Sequence, residues 1–156
     1  MTTKPTKKKG ETSTTVSVGI RIDPKIKFSL EMMARLQKRS LTAVVEWAVS
    51  KAMADQPCDF DLSFTQAIDK VWSSDESMRF ANIAFHMPNT FSYDELRVWE
   101  TIQASSVFWH TDAGGACVHE GFLLRDALRD NWTDVLEHVQ NNQASPTIVP
   151  FTPLVE

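Results

Sequence analysis

Between residues 15 and 22 the chain alternates strictly, TVSVGIRI. Val16, Val18, Ile20 and Ile22 fall on one face, and Ser17, Gly19 and Arg21 on the other. That period of two predicts a strand with one buried face. Asp23-Pro24 follows, an N-cap acid and a proline suited to the first helical position.

The spacing then changes to helical. Ile26, Leu30, Met33, Ala34 and Gln37 lie at i, i+4, i+7, i+8 and i+11, apolar except for the last. Lys38-Arg39-Ser40 interrupts the stripe, and Ser40 is placed to cap a second helix. Leu41, Val45, Ala48, Val49 and Ala52 form its apolar stripe. The order is strand, helix, short turn, helix.

Such a unit is incomplete alone. A lone strand leaves its backbone groups unpaired, and two short helices cannot cover its apolar face. The smallest repair is an obligate homodimer, in which two strands pair antiparallel above four helices.

Residues 1–14 are Lys, Thr, Ser and Gly without apolar spacing, which predicts a flexible basic arm. Residues 54–61 read as a linker. Beyond it, helices are expected at 62–72, 75–85, 93–108, 118–129 and 132–140. Ser92 and Glu95 form a capping box, with Phe91 and Leu96 spaced as a hydrophobic staple. Residues 112–115 read as a loop, and 142–156, with three prolines, as a tail. The expected fold class is therefore mainly α: a strand-helix-helix unit at 15–53, then a helical domain at 62–141.

Charge sharpens this division. Residues 1–53 hold eleven Lys/Arg against four Asp/Glu, a formal +7. The rest holds five against sixteen, or −11, which together make the chain's −4. The basic half suits a polyanion, and the acidic half should face away from it. No apolar run approaches the roughly 20 residues of a membrane span. The N-terminus lacks the apolar core of a signal peptide, so no export and a cytoplasmic location are expected. Cys58 and Cys117 form no CxxC pair.

The segment VSVGIRIDPKIKFSLEMMARLQKRSLTAVVEWAVSKAM resembles the ribbon-helix-helix family, the Arc, methionine-repressor and CopG-type group of DNA-binding proteins. The resemblance covers about a quarter of the chain. It rests on the strand ending in Arg-Ile-Asp-Pro and on Arg-Ser-Leu-Thr at 39–42. One departure is that the turn between the helices commonly carries Gly in this family, whereas here it is Gln37-Lys38-Arg39.

A two-stranded ribbon fits the major groove of double-stranded DNA, about 12 Å wide. Ser17, Gly19 and Arg21 of each chain would then face the bases. Arg21 is suited to guanine O6/N7, worth roughly 1–3 kcal/mol of discrimination, while Gly19 leaves the ribbon centre nearly mute. The resemblance implies a phosphate at the start of the second helix, on the amides of Ser40, Leu41 and Thr42. Lys7, Lys8 and Lys9 would reach phosphates or the minor groove, adding salt-sensitive affinity.

Other chemistry is weak. His110, Asp112, Cys117 and His119 invite a metal reading, but their spacing matches no zinc or nickel pattern, so no metal or other cofactor is expected. GxSxG, P-loop and HExxH signatures are absent. Asp75-Glu76 and Asp94-Glu95 are better explained as helix-start acids. The chain is not expected to be an enzyme.

The acidic half carries four of the five tryptophans and most of the phenylalanines, which at helical spacing predicts a folded core. The expected function is a sequence-specific transcriptional regulator of the repressor kind, whose C-terminal domain binds a partner or effector or mediates oligomerisation. Two alternatives remain. One is an antitoxin whose acidic half binds a protein partner, and the other is a relaxosome accessory protein.

Overall fold

The computed structural model describes residues 16–58, 62–112, 115–116 and 118–153. Among them the chain is mainly helical, with α1 Pro24–Gln37, α2 Leu41–Asp55, α3 Phe64–Val71, α4 Glu76–His86, α5 Tyr93–Ala104, α6 Arg125–Asp130 and α7 Trp132–Asn141. No described helix is long and apolar enough to cross a membrane. The chain divides into two compact units, Met1–Ser50 and Lys51–Glu156.

In the first unit, residues 16–22 are neither helical nor paired, and no ladder partner for them exists among the described residues. The Asp23 carboxylate then accepts from the backbone N–H groups of Lys25 and Ile26, at 2.8 and 3.4 Å, which starts α1 behind Pro24. Lys38 ends it in the left-handed region, at φ 53° and ψ 42°. A non-glycine residue costs about 1–2 kcal/mol there. Its amide and that of Arg39 close the helix on the Arg35 and Ala34 carbonyls. So the turn keeps the left-handed geometry usually given to glycine, using lysine instead.

Little of this unit is buried. Ala34 and Val44 face inward, and Leu30, Met33, Val45 and Ala48 are half-buried. Ile26, Leu41 and Val49 remain exposed on the stripes that the sequence marked as apolar.

The second unit has its own core. Phe108, Ile102, Leu128 and Val135 are fully enclosed, joined by Phe80, Ala81, Trp99, Trp109 and Phe151. Trp109 donates its indole N–H to the Ile102 carbonyl at 2.8 Å and meets Trp99 edge-on at 6.0 Å. Trp99 in turn meets Phe85 edge-on at 5.2 Å. Trp72, by contrast, is 67% exposed, with the Arg79 guanidinium over its ring. Not every tryptophan of the acidic half is core.

Capping fixes the helix starts. Ser92 and Glu95 form the expected box, and Ser63 with Gln66 forms a second one that was not anticipated. Phe91, half of the expected staple, stacks on Phe80, with centroids 4.7 Å apart. Asp75 caps α4 and takes Arg129 of α6 at 2.6 Å. Hydrogen bonds from Ser77, then from Arg129 and the Met78 amide, hold its carboxyl at about 2.

Four expectations need correction. The helix expected at 93–108 stops at Ala104, because the Ser105 hydroxyl turns back onto the Thr101 carbonyl and a 3-10 turn, Ser106–Phe108, follows. Asp112 and Gly115, the ends of the expected loop, are paired strand residues, Thr111–Asp112 against Gly115–Ala116, and 113–114 lie outside the described residues. The helix expected at 118–129 is a 3-10 turn, Glu120–Phe122, and then α6. Residues 54–55, read as linker, belong to α2, and Pro57 pairs with Ser63 in an isolated bridge.

The stretch read as a tail is also partly structural. Phe151 is buried, stacks on Phe108 at 5.6 Å, and donates its amide to the Ser105 hydroxyl at 2.7 Å. The Val149 carbonyl bonds the His138 imidazole at 2.8 Å. Residues up to 153 therefore strap the second unit.

Candidate nucleic-acid interface

Ser17, Gly19 and Arg21 lie on the non-helical stretch before α1, and all three are exposed. A Cβ built on Gly19 would meet no atom within 4 Å, so the backbone there stands open to close approach. Arg21 makes no ion pair among the described residues. Its guanidinium keeps its five donors for an outside acceptor.

The opposite row carries the apolar side chains. In the single chain Val16, Val18, Ile20 and Ile22 are 87, 75, 66 and 41% exposed. Four consecutive same-face apolar residues in water are costly, at roughly 25 cal/mol per Å² left wet. Nothing within the described residues covers them.

At the second candidate contact, the Ser40 hydroxyl accepts from the Ala43 amide at 3.1 Å. The Ser40 carbonyl takes the Val44 amide at 3.1 Å, which begins the α2 ladder. Leu41 and Thr42 occupy the first turn, where backbone N–H groups have no intrahelical acceptor. The start of α2 thus offers amide donors beside Lys38 and Arg39, and α2 has no acid in its first turn to compete. Sequence reasoning missed a hollow of about 340 Å³ lined by Gln37, Arg39 and the half-exposed Trp47. An aromatic off the core stripe, seven residues after the cap, was the available signal.

Lys7, Lys8 and Lys9 lie outside the described residues, as does Cys117. Of the histidines, the His119 ring accepts from the Gly121 amide at 3.2 Å, and His86 lies 3.5 Å from Glu120. No group of three metal-ligating side chains occurs among the described residues.

Compared with protein-family models, curated proteins and solved structures, the chain matches none.

Proposed function

We propose that the first unit is half of a ribbon-helix-helix dimer, and that the chain is a sequence-specific DNA-binding regulator of the repressor kind. One observation carries this reading: the wet apolar row Val16, Val18, Ile20 and Ile22. A second copy of the row, paired antiparallel, would dry both rows and supply the missing backbone partners at once.

Charge supports DNA as the ligand, since the first 53 residues carry +7. On the ribbon's outer face Arg21 reads a base with Ser17 assisting, and Gly19 lets the backbone approach. The α2 start, with the amides of Ser40, Leu41 and Thr42, receives a phosphate, and Lys7, Lys8 and Lys9 add salt-sensitive affinity. The second unit's own aromatic core favours this reading over an antitoxin whose acidic half orders only on its partner.

Arg21→Ala is the test. Loss of one bidentate base contact per chain should weaken binding to a selected site by at least about tenfold, while binding to random DNA falls only a few-fold. A competition mobility shift with the full chain measures both. Undiminished preference for the selected site would remove Arg21 from base reading.

A further inference from the structure

The second unit holds a cavity of about 200 Å³ beside α5 and α7. Its apolar wall is Val98, Leu136 and Val139, and the side-chain amides of Gln140 and Gln143 also line it. Two charged residues complete the lining, Asp94 and Arg97.

Of these two charges, Arg97 is in an unusual state. The two stand three residues apart on one helix, a spacing at which opposite charges commonly pair. Here no ion pair joins them, and neither pairs with any other charged group among the described residues. Arg97 is held instead by a hydrogen bond from Nη2 to the Asn142 carbonyl, at 3.2 Å. Its Nε is buried and has no acceptor. A buried donor left unmatched is costly, by about 1–3 kcal/mol or more for a charged group. Asp94 is exposed and makes no ion pair among the described residues.

We infer that this cavity binds an aliphatic α-amino acid. A zwitterion brings a carboxylate for the guanidinium and an ammonium for the exposed Asp94. A branched hydrocarbon side chain fits the Val98, Leu136 and Val139 wall, and the glutamine amides satisfy remaining polar atoms. The small volume excludes a nucleotide or a peptide. The inference stands apart from the DNA-binding reading and supplies the acidic unit with a ligand class.

Calorimetric titration of the full chain is the test, with three probes: L-leucine, 4-methylpentanoate, which lacks the ammonium, and 3-methylbutylamine, which lacks the carboxylate. Leucine should bind saturably at one site per chain, and each truncated probe about tenfold more weakly or worse. Asp94→Asn, an exposed change that leaves the fold intact, should weaken leucine about tenfold while leaving 4-methylpentanoate unchanged. Arg97→Lys should weaken both. The inference is overturned if leucine shows no saturable heat into the millimolar range. It is equally overturned if leucine and 4-methylpentanoate bind alike, or if Asp94→Asn binds leucine as the wild type does.

Discussion

On the proposed dimer, Ile20→Asp should leave the full chain monomeric at concentrations where the wild type pairs, and DNA binding should be lost with dimerisation. The reason lies in the row it interrupts. Val16, Val18 and Ile22 flank it on the same face, and all four side chains lie in water within one chain. The substitution therefore costs an isolated chain almost nothing. In a paired ribbon each carboxylate would enter an apolar layer without a cation, at a cost of about 3–5 kcal/mol per chain. Two such charges per dimer weaken association at least a thousandfold. Sedimentation velocity reads the mass. The second unit should unfold at its wild-type temperature, because its core is built from its own residues, Met78 to Phe151. A stable Ile20→Asp dimer would mean that the row does not pair.

The second large effect falls in the other unit. Phe108→Ala removes a fully enclosed ring that stacks on Phe151. Large-to-small changes of this kind cost about 3–5 kcal/mol. For a unit of this size, the melting temperature should fall by roughly 12–20 °C. Phe151→Ala should also destabilise, and the double variant should cost less than the two singles combined. The shortfall, about 0.5–1.5 kcal/mol, is the coupling of the stacked rings. Tyr93→Ala, by contrast, removes an exposed side chain and should stay within about 0.5 kcal/mol. Calorimetry of the four variants beside the wild type separates these outcomes. A near-neutral Phe151→Ala would mean that the C-terminal strap lies loose on the unit.

What the sequence made legible were features set by neighbours in the chain. The Asp23 cap behind Pro24 and the box of Ser92 with Glu95 each depend on residues two or three positions apart, and both form as read. The apolar alternation of 16–22 was equally plain, though its meaning needs a second chain. Distant partners were not legible. Phe151 reads as a stray aromatic among prolines, and its place is set by Ser105 and Phe108, more than forty residues away. The early end of α5 depends on a serine hydroxyl competing for a helix carbonyl, which periodicity does not register. Lys38 shows a third kind of limit: without glycine in the turn, nothing local named which residue would take the left-handed conformation. Of the candidate interface, Ser17, Gly19 and Arg21 came from alternation, Lys7, Lys8 and Lys9 from charge, and Ser40, Leu41 and Thr42 from what the family resemblance implies. The unpaired state of Arg21 and the amide-rich start of α2 came from the fold.

The most direct measurement of the central claim is to select binding sites from a random duplex pool with the full chain, and then to determine the mass of the complex on the enriched site. A ribbon-helix-helix dimer should enrich a site with two-fold symmetric half-sites and load an even number of chains on it. A single chain on an asymmetric site, or no enriched sequence at all, would contradict the claim.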